Sequence, residues 1–192
     1  MSKGKLFIIT GASGVGKSTV LSRVMAQRDD LRFSVSATTR APRPGEVDGE
    51  SYYFVTKEKF REMIDRNEFV EYDAHMDNYY GTPEAQLNEK LQTGSVILDI
   101  EPNGAFNVRK RRSDATLIFI APPSMEELLR RLVGRGDTSP EQVKVRQDRA
   151  QWEMEQSVHY DYVVVNDQVE TCAEEILNII SAVADTNEIG GN

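Results

Sequence analysis

At 192 residues the chain is long enough for one α/β-sized core with small insertions. Asp and Glu number 31 against 23 Lys and Arg, a formal charge of −8, which excludes nucleic-acid binding through a broad basic surface but leaves room for a local arginine cluster. A single cysteine, Cys172 in a helical pattern, excludes an intramolecular disulfide and suits a reducing, cytoplasmic setting.

The first apolar run, residues 6–9, predicts a strand and is too short for a signal peptide or a membrane span. It leads directly into Gly11-Ala12-Ser13-Gly14-Val15-Gly16-Lys17-Ser18, the GxxxxGK[ST] spacing of a phosphate-binding loop. Glycines let the backbone curl so that successive N–H groups point inward at phosphate oxygens. Lys17 adds a mobile positive charge, and Ser18 a hydroxyl suited to Mg2+. With Thr19 at the start of the following helix, residues 11–19 are the candidate nucleoside triphosphate contacts.

Further along, residues 96–100, 116–120 and 162–165 are short Val/Ile-rich runs without alternation, the pattern of parallel strands buried on both faces. Helical patterns lie between them. Met125, Leu128, Leu129 and Leu132 fall at helical spacing, with Ser124 and Glu127 as a capping box. Ala173, Ile176, Leu177 and Ile180 line one face of the last helix, and 185–192 reads as a fraying tail. The expected architecture is a doubly wound α/β sheet.

Two segments break the alternation. Residues 36–88, rich in Tyr, Arg, Gly and Pro, read as a small inserted α+β unit with a short helix carrying Phe60, Met63 and Ile64. Residues 135–157 open after Gly134, and Ser139, Pro140 and Gln142 supply cap, first helical position and capping-box partner for a polar helix, a candidate mobile cover.

The first of these segments holds the residues that point to an acceptor. Arg40 and Arg43, followed by Pro44-Gly45, suggest a guanidinium fork for a dianion, to which Tyr52 and Tyr80 could add hydroxyls. Glu71 lies between apolar neighbours, and a partly buried carboxylate calls for a partner. Guanine presents N1–H and N2–H2 as adjacent donors that one carboxylate accepts together, whereas adenine presents a lone pair there. Ser36 and Thr82 could donate to guanine O6. Thr82 has a competing reading as N-cap of a helix over 84–92, with Pro83 at its first position and Gly94 at its close.

On these residues the chain resembles the guanylate kinase family. The resemblance is carried by SVSATTRAPRPGEVDG at 34–49, Tyr52-Tyr53-Phe54-Val55, Asn78-Tyr79-Tyr80-Gly81-Thr82 and Ile97-Leu98-Asp99-Ile100. It is carried also by residues 119–124, Gly134-Arg135-Gly136 and 162–167, and it spans about residues 4–183. It implies a P-loop NTPase three-layer sandwich with a central parallel sheet, an inserted α+β GMP-binding domain and a helical lid. The core is then 1–35, 89–134 and 158–192, the insert 36–88 and the lid 135–157.

The resemblance further implies ATP-dependent phosphorylation of GMP, and of dGMP, with Mg2+. Arg40, Arg43, Tyr52 and Tyr80 would hold the GMP phosphate, and Ser36, Glu71 and Thr82 would read guanine. Asp99 would orient Mg2+ or its waters, Arg135 and Arg146 would close on the transferring phosphate, and Asn166 and Asp167 would lie near adenine. Where the family carries Asp-Ile-Asp followed by x-Gln-Gly, this chain has Asp99-Ile100-Glu101-Pro102-Asn103-Gly104, so Glu101 keeps a carboxylate for guanine on a longer stem. The partners expected are GMP, dGMP and ATP, with neither nucleic acid nor membrane, while monomer and homo-oligomer stay open. A ribosyl bisphosphate phosphokinase is disfavoured by Ser36, Glu71 and Thr82, and a non-catalytic phosphopeptide-binding relative by Lys17, Ser18 and both lid arginines.

Overall fold

The computed structural model describes residues 4–75, 77–133 and 140–185. In chain order, β1 (Leu6–Gly11) enters the glycine-rich loop and α1 (Lys17–Met25) leaves it. There follow β2 (Leu31–Phe33), β3 (Ala37–Thr38), β4 (Tyr53–Phe54), α2 (Lys57–Asp65), β5 (Phe69–His75), β6 (Asn78–Pro83) and α3 (Glu84–Thr93). Then come β7 (Ser95–Asp99), α4 (Pro102–Arg111), β8 (Thr116–Ala121), α5 (Met125–Val133) and α6 (Pro140–Glu155). A 3-10 turn (Gln156–His159), β9 (Tyr162–Val165) and α7 (Val169–Asp185) complete the order.

Five strands make one parallel sheet in the order β2-β7-β1-β8-β9, with helices on its faces. The three central strands carry the Val/Ile/Leu runs and are buried almost throughout. One layer of core packs α1, α5 and α7 side chains such as Val20, Leu128 and Ile176 against Phe7, Ile9 and Ile118. The opposite layer packs Leu87, Leu91, Ala105 and Val108 of α3 and α4 against Leu6, Ile8 and Leu98. The alternation of Phe7 and Ile9 with Leu6 and Ile8 shows both faces of β1 covered, as the period-2 geometry of a strand requires.

One strand is not foreseen from the sequence and one expectation fails. The strand at 31–33 is unmarked in the sequence, because three residues with one buried side chain make no run. The strand at 162–165 is present but not buried on both faces, since it closes the sheet edge and only Val164 is buried.

A second, four-stranded sheet has the order β4-β3-β6-β5 and is mixed, with β3 parallel to β4 and antiparallel to β6. Its own small core stacks Phe60 of α2 on Phe69 at 4.4 Å and on Tyr79 at 5.4 Å. A fully buried Phe contributes about 2–3 kcal/mol on transfer grounds, enough to fix α2 over the hairpin. Thr56 caps α2 by accepting from Lys59 N–H at 3.1 Å.

Thr82 is not a helix cap. It lies within β6, and Pro83 occupies the N-cap position of α3 without a side-chain bond. Proline's fixed φ and missing N–H make that boundary without help from Thr82, whose hydroxyl is used elsewhere. The Ser124 half of the predicted capping box is present, Ser124 Oγ accepting from Glu127 N–H at 3.1 Å. Glu127 is instead drawn to Arg130 and Arg131, which hold its carboxyl at about 2. Pro140 heads α6 as its spacing predicts, while Ser139 lies outside the described residues.

Candidate active site

The donor side grows out of β1. Gly16 is the N-cap of α1 at φ 94, a left-handed conformation that glycine adopts without strain. A Cβ there would stand 2.9 Å from Asn166 Nδ2, so the close approach of Asn166 also demands glycine. Asn166, buried at the end of β9, donates from Nδ2 to Val15 C=O at 2.7 Å and so braces the loop from behind. Its Oδ1 is buried with no partner among the described residues. That orphaned acceptor is suited to an amine brought in by a ligand. Asp167 beside it is exposed.

Lys17 opens α1, and its ammonium forms an ion pair with Asp99. The sheet register explains the pair: Asp99 ends β7 directly opposite Ile9, two residues before the loop begins. A helix N-terminus leaves its first N–H groups without intrahelical partners, which suits a phosphate chain laid along the loop. Ser18 and Thr19 are exposed on that first turn.

The acceptor side is built by the second sheet. Arg40, two residues past β3, is gripped by Glu46, its Nη1 and Nη2 donating to the two carboxylate oxygens at 2.9 and 2.8 Å. Glu46 also accepts from Arg43 N–H at 2.7 Å, and these contacts hold its carboxyl at about 2. The Arg40 guanidinium lies over the Tyr52 ring at 5.4 Å, and the Tyr52 and Tyr80 rings are 6.2 Å apart. Burial raises the Tyr52 hydroxyl pKa, and among the smaller influences are Arg40 and, from the core sheet, Asp99. Arg40, Tyr52 and Tyr80 thus converge, while the Arg43 side chain is exposed.

Glu71 and Thr82 are register partners on β5 and β6, and the Thr82 hydroxyl donates to Glu71 Oε1 at 2.7 Å. Both are buried. Burial pushes the Glu71 carboxyl up to about 7, and the Thr82 bond offsets only part of that. The other oxygen rests on α4: a Cβ at Gly104 would come within 2.8 Å of Glu71 Oε2, so the carboxylate sits where only glycine permits. Thr82 has one hydroxyl proton and spends it here, which corrects the expectation that it is free for a ligand carbonyl. Ser36, half-buried just before β3, is not so engaged.

Glu101 occupies the N-cap of α4 without a capping bond and pairs with Arg149 of α6 at 3.0 Å. Arg146 is exposed on α6, and Arg135 lies outside the described residues. Sequence reasoning missed Glu46, Arg149 and Glu153. Glu46 had a signal, six residues after Arg40 across a Pro-Gly turn. The α6 pair had a fainter one, an acid and a base four residues apart around the small Ala150.

The family model for guanylate kinase matches residues 3–183. A guanylate kinase of Thermus thermophilus is 46% identical over 94% of this chain and 82% of its own length. One of Clostridioides difficile (strain 630) is 44% identical over 95% of this chain and 89% of its own. The crystal structure of guanylate kinase from Anaplasma phagocytophilum superposes with a TM-score of 0.75 at 35% identity, covering 94% of this chain and 86% of that one. A gluconokinase structure from Sinorhizobium meliloti, at 15% identity and a TM-score of 0.53, shares the fold alone. By the extent of the family match and by these identities, the chain belongs to the guanylate kinase family.

Proposed function

We infer that the chain transfers the γ-phosphoryl group of ATP to GMP, and to dGMP, giving ADP and the nucleoside diphosphate. The observation that carries this reading is the buried Glu71 carboxylate, held by Thr82 one strand away from the Arg40–Tyr52–Tyr80 cluster. A phosphate on the cluster places its base toward Glu71, which accepts from guanine N1–H and N2–H2. Ser36 is the hydroxyl left to donate to O6, and Glu101 adds a second carboxylate at the base edge.

On the donor side, residues 11–19 cradle the ATP phosphates, and the Asn166 acceptor meets the adenine amine. Phosphoryl transfer requires in-line placement and cancellation of charge, and little covalent help. Lys17, Arg40, Arg43, Arg135 and Arg146 supply positive charge around two approaching anions. No general base is required, because the GMP phosphate is already ionised near neutral pH. The Ser18 hydroxyl and the Asp99 carboxylate are hard oxygen donors that fit Mg2+ shared with phosphates, and the metal would supply further charge cancellation there. Residues 36–88 act as the acceptor-binding unit and 135–157 as a lid that excludes water, on a core of 1–35, 89–134 and 158–192. No helix among the described residues is long and apolar enough to cross a membrane, and the cytoplasm is the proposed location.

The test is nucleoside diphosphate formation from ATP with GMP, dGMP, AMP and IMP in parallel. GDP and dGDP are expected as main products; no GDP from ATP and GMP overturns the reading. Glu46→Gln is expected to raise the GMP KM about tenfold at nearly constant kcat, because Arg40 loses a charge-assisted, two-point grip and must be ordered by the substrate itself. A lower KM would mark Glu46 as an anion that the GMP phosphate has to displace.

A further inference from the structure

A chain of polar contacts runs from the phosphate loop to Glu101, at the head of the helix against which the Glu71 carboxylate rests. It begins at Ser13, whose N–H donates to Glu153 Oε2 at 2.8 Å. Glu153 lies on α6, and its side chain is only 1% exposed, so this carboxylate is committed to protein partners. Arg149, one helical turn earlier on the same face, donates from Nε to Glu153 Oε1 at 2.9 Å. Its Nη2 donates to Glu101 Oε2 at 3.0 Å. Glu101 is the N-cap of α4, and Gly104, three residues on, is the surface against which Glu71 rests. The two outer contacts of Arg149 therefore belong to opposite sides of the reaction.

The surroundings make this a built junction. Ala150 of α6 is fully buried in the core cluster and Met154 packs against it, which fixes the helix on this face. Tyr160 sits beside the junction, its OH accepting from Thr10 Oγ1 at 2.7 Å. Burial pushes that phenol up to about 12, and both Glu101 and Glu153 bear on it. Two carboxylates, Glu101 and Glu153, converge here between the sites for two polyanionic nucleotides. Arg149 is the cation bonded to both of them.

We propose that Arg149 is a positioning residue that couples the two nucleotide sites, bridging the phosphate loop through Glu153 to the acceptor-side helix through Glu101. The proposal rests on the reading of the enzyme as an ATP:GMP phosphotransferase. ATP in the loop adds negative charge beside Glu153, and GMP ionises Glu71, which rests against the first turn of α4 that Glu101 precedes. With Arg149 present, each addition meets a bridged cation. Without it, each nucleotide binds against two uncompensated carboxylates and against the other nucleotide. The guanidinium fork is needed to reach both carboxylates at once, which an ammonium does less well.

The test compares GMP affinity with and without the non-hydrolysable imido analogue of ATP plus Mg2+, by calorimetry, in the full chain. The ratio of the two GMP affinities is the readout, because a merely structural residue would change folding without changing that ratio. Arg149→Met is expected to lower the ratio about tenfold relative to the unsubstituted chain, and Arg149→Lys to recover part of it. Glu101→Gln, at a half-exposed position that the fold tolerates, is expected to lower the ratio as well, with no further loss in the double variant. An unchanged ratio in both Arg149→Met and Glu101→Gln overturns the proposal, as does additivity in the double variant. Absence of GDP formation by the unsubstituted chain would defeat the underlying reading instead, so the two failures are distinguishable.

Discussion

Replacing Lys17 by methionine is expected to lower kcat/KM for GDP formation by about a thousandfold, with most of the loss in kcat. The Lys17 ammonium is paired with Asp99 at the mouth of the phosphate loop. Both side chains are partly exposed, so the pair contributes at most about 1 kcal/mol to folding, and its loss leaves a carboxylate that water can solvate. Methionine keeps the unbranched stem at the start of α1 and removes only the charge. The expected defect is therefore catalytic: the ammonium shifts from the Asp99 carboxylate to the phosphate oxygens, where charge develops as the phosphoryl group moves. Single-turnover rates with saturating ATP check this, alongside the thermal unfolding midpoint. A rate within tenfold of the unsubstituted enzyme removes Lys17 from the transfer step. Asp99→Asn separates the two roles of the pair, since it frees Lys17 and yet is expected to slow the reaction through loss of the carboxylate proposed to orient Mg2+.

The Lys17–Asp99 pair was half legible in the sequence. The loop spacing marks Lys17, and a carboxylate at the end of a Val/Ile run marks Asp99, because in open α/β sheets ligands collect at the carboxyl ends of strands. That β7 lies next to β1, with Asp99 opposite Ile9, is a matter of strand order that a single sequence does not state. The acid–base partners were hidden as well. Arg40 and Arg43 announce themselves by charge and spacing, but Glu46 reads as one more polar residue until the turn folds it back onto Arg40. Glu153 is farther from view: 140 residues separate it from its Ser13 partner, and nothing local says that this acid is buried. Thr82 shows the opposite failure. A strong local signal, Thr-Pro before a helical pattern, was overridden by register, because β-pairing put its hydroxyl against Glu71. Single residues were thus readable from type and spacing, whereas their partners were not, whether a turn, the sheet order or a helix docking supplied them.

Glu71→Gln is expected to reduce kcat/KM for GMP by about three orders of magnitude and to shrink the preference for GMP over AMP by a similar factor. On the proposed reading the carboxylate accepts from two adjacent guanine donors; an amide would offer one acceptor and turn a donor toward the second, leaving buried groups unpaired. Toward adenine the change is favourable, since the new N–H meets the N1 lone pair. The fold gains from the same substitution at neutral and higher pH. Burial holds the Glu71 carboxyl at about 7 against an ordinary 4.5, so its proton is bound more tightly in the folded chain than in the unfolded one. The stabilisation from that proton is complete below about pH 4.5 and is lost as the pH rises through about 7, a swing of about 3 kcal/mol by linkage. Glutamine carries no such proton and escapes that loss. GMP reverses the sign for its own binding: two N–H donors favour the ionised carboxylate, so binding expels the proton and strengthens as the pH climbs from 5 to 8. The GMP phosphate itself ionises near pH 6, and subtracting the Glu71→Gln profile isolates the carboxylate's share. Unfolding midpoints and GMP affinities, each measured from pH 5 to 8 in both proteins, read the two effects separately. Equal GMP/AMP selectivity in the two proteins sinks Glu71 as the guanine reader, and identical pH profiles sink its buried proton.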